Sequence, residues 1–199
     1  MTLRKLFLFA TLFGLPLVMT ATSAETPAAA ASCVACHGAN GVSPAPIWPS
    51  LAGQGSNYIV AQIKAFKAGV RSDPSMSQMV AQLSDSDMKV VGDHFASLPA
   101  EIAPMGDEDF SAAEKLFRGG DAARNLPACM ACHGPSGAGN APAAFPALRG
   151  QHPTYTISQL KAYRDGSRTT DAQEVMRDIA AKMTDAEIES LARYVSSLH

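Results

Sequence analysis

Cysteine is scarce in this chain of 199 residues, and none of it is scattered. All four cysteines lie in two five-residue stretches, Cys33-Val34-Ala35-Cys36-His37 and Cys129-Met130-Ala131-Cys132-His133, so no thiol remains elsewhere for a structural bridge. Positive charge is not in excess either. Sixteen Lys and Arg stand against eighteen Asp and Glu, a formal net charge of −2, and that balance argues against nucleic acid as a partner. Beyond the apolar run from Leu6 to Met19, no stretch is long and apolar enough to cross a bilayer. Nor does any stretch alternate apolar and polar residues for long, which leaves essentially no room for a sheet.

What is present begins with the two cysteine stretches. Two thiols three positions apart, followed at once by an imidazole, form a c-type haem attachment site. The thiols add covalently to the two vinyl groups of one porphyrin, and the next residue lies where its imidazole reaches the iron from the proximal side. Three other uses of Cys-x-x-Cys fit less well. A thioredoxin-like dithiol needs a strand–helix context and has no use for the histidine. Paired zinc knuckles are separated by roughly 15–20 residues, whereas 92 residues lie between Cys36 and Cys129. Disulfides would not explain a histidine in the same place twice. The motifs therefore predict two covalent haem c groups, held by Cys33, Cys36, Cys129 and Cys132, with His37 and His133 as iron ligands.

The start of the chain carries Arg4 and Lys5, then the run from Leu6 to Met19, then small residues ending in Thr22, Ser23 and Ala24. A basic head, a short apolar middle and a small-residue exit read as a secretory signal peptide, residues 1–24, with cleavage after Ala24; an uncleaved anchor is the alternative. Cleavage would take the formal charge to −4 by removing Arg4 and Lys5. It would leave no integral membrane segment. Covalent haem is assembled outside the bacterial cytoplasm, so the expected location is the periplasm, with the protein soluble or peripherally membrane-associated.

The two motifs belong to a longer repeat. Cys33 and His37 match Cys129 and His133 at an offset of 96, and Pro49, Leu51, Gly53 and Gln54 match Pro146, Leu148, Gly150 and Gln151 at 97. At 97 also, Tyr58 pairs with Tyr155, Phe66 with Tyr163, Gly69 with Gly166 and Arg71 with Arg168. Toward the end of each half the offset is 100, which sets Ser84 and Asp85 on Thr184 and Asp185, and Ser97 and Leu98 on Ser197 and Leu198. Blocks matching in one order mean a duplicated domain. The expected division is a first domain at 25–98, a linker at 99–106 bounded by Pro99 and Gly106, and a second domain at 107–199. Domains this small gain thin stability from an apolar core alone, and a buried porphyrin would supply apolar mass.

The fold class is all-α, a few helices wrapped around each haem. Phe110, Ala113, Leu116 and Phe117 predict a helix that stops at Gly119 and Gly120, and Ile157, Leu160 and Tyr163 predict another over 155–164. A last helix starts at Thr184 with Glu187 as its capping-box partner and Ile188, Leu191, Val195 and Leu198 as its stripe. Ser84 and Asp87 repeat that arrangement ahead of Met88, Val91, Phe95 and Leu98. The first half has only the alanine-rich 25–32 where the second has the Phe110–Phe117 stripe, so its opening helix should be short and weakly packed.

The two Cys-x-x-Cys-His motifs, the paired Pro-x-Leu-x-Gly-Gln segments and the late Met76 and Met176 resemble the class I cytochromes c, and over the mature length the dihaem cytochrome c4 family. The resemblance implies two tandem cytochrome c domains carrying single electrons between respiratory-chain components, with redox proteins as partners. It also implies a methionine as the sixth iron ligand, supplied by the loop before the last helix. Met76 or Met79 is offered in the first half and Met176 or, less readily, Met183 in the second; spacing from the capping residues selects Met76 and Met176. Core packing is the ordinary use of any one of these methionines. A backbone carbonyl of Pro49 or Pro146 is implied as the acceptor for the proximal imidazole, with a cis bond or plain loop rigidity as the other uses of these prolines. Arg71 and Arg168 are either partners of haem propionates or solvated helix-end residues. His94, His152 and His199 lack counterparts and read as ordinary surface or interface residues. The leading function is an electron carrier without a substrate. A dihaem subunit of a larger oxidoreductase, such as a flavocytochrome c sulfide dehydrogenase, is the alternative. A dihaem peroxidase, which needs an open iron site, is the less favoured enzyme, and thiol–disulfide exchange is the remote option.

Overall fold

Two apolar stripes of matching spacing make the first core. In the computed structural model, which describes residues 25–199 and so leaves the expected signal peptide outside it, these stripes lie on α2 (Ser56–Lys67) and α4 (Asp85–Ser97). Ile59, Ile63 and Phe66 from α2 meet Met88, Val91 and Phe95 from α4, and all six are buried. Gly92 permits the close approach, because a Cβ there would stand 2.9 Å from Ser56 Oγ and 3.0 Å from Val60 Cγ2. Two shorter helices complete this half, α1 (Val34–His37) and α3 (Pro74–Val80). Among the described residues ahead of α1 there is only a single 3₁₀ turn, Ala28–Ala30, of which Ala30 is buried against α4.

The second half has a fuller opening. Its α5 (Ser111–Gly119) presents Ala113, Leu116 and Phe117 to Ile188, Leu191 and Val195 of α9 (Asp185–Ser196). Phe110 caps α5 instead of starting it, and its ring packs at 5.9 Å from that of Tyr194. Between them lie α6 (Met130–His133), α7 (Pro153–Arg164) and α8 (Val175–Ala181). Helix α7 begins two residues earlier than the stripe predicts, with Pro153 in its first turn, where a missing N–H costs nothing. Both last helices carry the expected capping boxes, Ser84 with Asp87 and Thr184 with Glu187. Glu187 is further tied to Arg124 at 2.6 Å, and this pairing holds its carboxyl down at about 2.

Pairing of extended chain among the described residues is limited to two isolated bridges, Asp121 with Leu126 and Asn140 with Phe145, so the fold is all-α without a sheet. No helix in that range is long and apolar enough to cross a membrane. The two halves differ most where the repeat offset changes. One extra residue precedes Pro146 and three precede Met176. Ala144 (φ 56°) lies in the first of these stretches, and Gln173 (φ 54°) and Glu174 (φ 62°) lie in the second. A fourth left-handed residue, Asn125 (φ 51°), lies in the turn between α5 and α6. Left-handed backbone is unfavourable for residues with a Cβ, so each extra stretch in the second half is absorbed at the cost of local strain.

The unequal openings give an expected result. Backbone amides of 25–32 should exchange with solvent faster than those of 111–119, because one 3₁₀ turn buries a single alanine whereas α5 buries Ala113, Leu116 and Phe117. Hydrogen exchange read by mass spectrometry checks it, and equal protection of the two segments would count against it.

Candidate haem-attachment sites

Each Cys-x-x-Cys-His motif forms one turn of helix. His37 N–H donates to Cys33 O at 3.0 Å, and His133 N–H donates to Cys129 O at 3.0 Å. One helical turn sets residues three and four apart on a common side, which brings the two thiols and the imidazole of each motif to one face. The chain turns away at once through Gly38 (φ 82°), where a Cβ would come within 2.1 Å of Val42 O, and through Gly134 (φ 78°).

The loops after these turns fix the histidine rings. His37 Nδ1–H donates to Pro49 O at 2.8 Å, and His133 Nδ1–H donates to Pro146 O at 2.8 Å. Only an imidazole carries the proton in such a pair, so Nδ1 is protonated and Nε2 keeps its lone pair for a metal. The carbonyl reading of both prolines holds, and there is no cis bond among the described residues. Both rings are buried, and burial lowers their pKa values against the opposing pull of the proline carbonyls. Burial thus favours the neutral ring, the form that ligation requires. Burial pushes the Cys33 thiol up and the Cys129 thiol up to about 11, the reverse of what a thiolate redox catalyst needs. Thiols grouped on one helical turn beside an imidazole with a free Nε2 fit a covalent haem.

The methionines occupy short helices where the sequence reading expects a loop. Met76 sits in the first turn of α3, where the Asp73 carboxylate accepts from its N–H at 2.9 Å, and it packs partly against the first core. Met176 is in the first turn of α8 and half-buried. Met79 is exposed at 46%. Met183 is buried in the second core, a packing residue. His94 is buried as well, not superficial, and its Nε2 has no partner. His152 is at the domain interface, where Nε2–H donates to Ser43 O at 3.0 Å.

Arg71 and Arg168 depart furthest from the solvated helix-end reading. They are 8% and 5% exposed and reach into the opposite half. Arg71 donates to Tyr155 Oη, Gln159 Oε1 and its own half's Gln62 Oε1, each at 2.8 Å. Arg168 donates to Tyr58 Oη at 2.8 Å, Gln62 Oε1 at 3.1 Å and Gln159 Oε1 at 2.8 Å. Each guanidinium also lies 4.5 Å over an aromatic ring of its own half, Phe66 or Tyr163. Two glutamines cross in the same reciprocal manner. Gln54 bonds the N–H and C=O of Ala147, and Gln151 bonds the N–H and C=O of Ser50. Since 54 matches 151 and 50 matches 147 in the repeat, the interface is two-fold symmetric in its contacts. A signal for it existed in the sequence. Gln, Tyr and Arg recur at one offset away from the haem motifs, where repeat-wide identity in polar residues asks for a shared partner.

The family described as Cytochrome c matches the chain twice, at residues 24–99 and 113–199. Cytochrome c4 of Pseudomonas aeruginosa is 43% identical over 178 residues, covering 89% of either chain. The crystal structure of reduced recombinant cytochrome c4 from Pseudomonas stutzeri superposes with a TM-score of 0.82 at 41% identity, covering 85% of this chain and 95% of that one. A protein of Thiomonas intermedia named thiosulfate dehydrogenase electron acceptor is 37% identical over 199 residues, covering 98% of this chain and 91% of its own.

Proposed function

Because the chain belongs to the cytochrome c family, as a dihaem electron-transfer member of the cytochrome c4 group, we propose that it is a periplasmic carrier of single electrons between respiratory-chain components. The observation that carries this reading is the double occurrence of one arrangement. In each copy the thiols and imidazole share one helical turn, and the ring is tethered by Nδ1 to a proline carbonyl. The bound haem supplies a one-electron iron couple. Cys33, Cys36, Cys129 and Cys132 would hold it as thioethers, and His37 and His133 would offer Nε2 to its iron. Met76 and Met176 would supply a thioether, a neutral soft donor that favours the ferrous state and raises the potential. Ligation by both a histidine and a methionine would leave no open site for peroxide, which supports a carrier over a peroxidase. The domains are assigned to 25–98 and 107–199, joined by 99–106, after removal of 1–24.

A second reading is favoured by one comparison. The relative named as the electron acceptor of a thiosulfate dehydrogenase matches nearly the whole chain, and this supports a dedicated acceptor or subunit of a larger oxidoreductase. Purification from the native host separates the two, since a free carrier comes alone and a subunit comes with its dehydrogenase chain.

Two covalent haems are expected per mature chain. The intact mass of exported protein should equal the chain from Glu25 plus two haems, and a pyridine haemochrome assay should count two of the c type. Replacing Cys132 and His133 together should remove one haem and leave the first domain's spectrum. A fully matured protein lacking either haem would overturn the reading.

A further inference from the structure

The reciprocal glutamines do more than join the halves. The carbonyl that accepts from His37 and the N–H of Ser50 belong to one peptide group, since Pro49 C=O and Ser50 N–H are the two ends of the same amide. His37 Nδ1–H donates to Pro49 O at 2.8 Å, and at the other end of that amide Ser50 N–H donates to Gln151 Oε1 at 2.9 Å. The second copy is the same with the halves exchanged: His133 Nδ1–H donates to Pro146 O at 2.8 Å, and Ala147 N–H donates to Gln54 Oε1 at 2.8 Å. Each glutamine also donates through Nε2 to the carbonyl of the next residue, Ser50 at 2.9 Å or Ala147 at 3.0 Å. Each Oε1 is held in turn by its own following N–H, Gly55 at 2.9 Å or His152 at 3.0 Å. Gln54 is buried at 6% exposed and Gln151 half-buried, and amides so fully bonded have one orientation.

An amide whose N–H is engaged is a stronger acceptor at its carbonyl, because hydrogen bonds in a chain polarise one another. A stronger acceptor at Nδ1–H gives the imidazole more imidazolate character and makes it a more basic metal ligand. Greater ligand basicity favours ferric over ferrous iron, and hydrogen bonding behind the ligand is among the main levers a protein has on a haem potential. We infer that Gln54 and Gln151 are positioning residues for the haem of the opposite domain: Gln151 holds down the potential of the first haem through Ser50, Pro49 and His37, and Gln54 that of the second through Ala147, Pro146 and His133. The inference rests on the axial role proposed for the two histidines. It makes the potential of each haem a property of both domains in contact, so that a partner loosening the interface would raise both potentials.

The test is the address of the shift. Gln151→Leu should raise the midpoint potential of the first haem and leave the second, and Gln54→Leu should raise the second and leave the first, with each haem identified by its paramagnetically shifted methyl resonances. Protection of the Ser50 amide should fall in Gln151→Leu, and that of the Ala147 amide in Gln54→Leu. Asn57→Ala removes another bond across the interface, Asn57 Nδ2–H to Ala141 O at 3.3 Å, without touching either chain of bonds. It should move neither potential. Two haems per chain in the wild type test the functional reading, whereas the crossed pattern tests this one. Shifts confined to the variant's own domain would overturn it, as would equal shifts of both haems in either leucine variant. Unmoved potentials with amide protection lost would overturn it too.

Discussion

Met76→Ala is expected to abolish the methionine–ferric charge-transfer absorption of the first haem, and Met79→Ala to leave it in place. The argument is one of register. Met76 lies eight residues before Ser84 and Met176 eight before Thr184, and both Ser84 and Thr184 cap their helices through complete capping boxes. The short helix and the cap that follows it are one unit in both halves, α3 before α4 and α8 before α9, and their spacing survives the three-residue difference that precedes them. Met79 falls opposite Ile179, which packs against the second core, while Met79 itself is exposed at 46%. Met76 is the one set against the first core, with its backbone fixed by Asp73. Loss of a thioether ligand should also lower the potential of that haem, since the soft neutral donor is what favours ferrous iron. Visible spectra of the oxidised variants decide the matter. The second haem's contribution should remain in both. Loss of the first haem's band in Met79→Ala alone would show the register to be wrong.

Phe117→Ala is expected to cost the second domain about 3–5 kcal/mol, the usual range for truncating a fully buried phenylalanine. Phe117 is 0% exposed and lies edge-on to Tyr194 at 5.7 Å, and it joins α5 to α9 through Leu191 and Val195. Against a total stability of roughly 5–15 kcal/mol for an ordinary domain, that loss should bring the thermal transition of the second haem's spectrum down by many degrees. Among the described residues the first half has no equivalent side chain to lose, only Ala30 at the corresponding end. Thermal melts followed at the haem absorption check this. A loss below about 1 kcal/mol would mean that α5 is held by something other than its aromatic stripe.

The parts of this molecule that were legible in its sequence are those governed by short periods. Ile188, Leu191 and Val195 announce α9 through helical spacing, and Thr184 with Glu187 announces its start. The cysteine motif is local, whereas the bond from His37 to Pro49, twelve residues on, was implied only by the family resemblance. The repeat itself was plain, because matching residues keep their order even where the offset changes. What stayed hidden lacks a period. Arg71 meets Tyr155 and Gln159, and Arg168 meets Tyr58 and Gln62, across separations that no local pattern records. Nothing in a single arginine after a helix says that its guanidinium turns inward over Phe66 rather than outward to water. Helices α3 and α8 have seven residues each, too few for periodicity to distinguish them from the loop the family pattern suggests. His94, read as a surface or interface residue, is buried beside Phe95, and a lone histidine without a counterpart in the repeat carries no mark of that.

The two-fold match of Gln54 with Gln151 and of Arg71 with Arg168 also has a geometric outcome. A contact in which both sides present the same groups is saturated once made. Each half satisfies the other's donors and acceptors, and no second, differently shaped patch is left over to hand the same contact on to a further molecule. Had the two sides been unlike, every chain would have offered one free copy of each, the condition for open-ended rows. Here the contact is closed within one polypeptide, so while the halves stay paired these buried arginines and glutamines offer nothing to a growing filament.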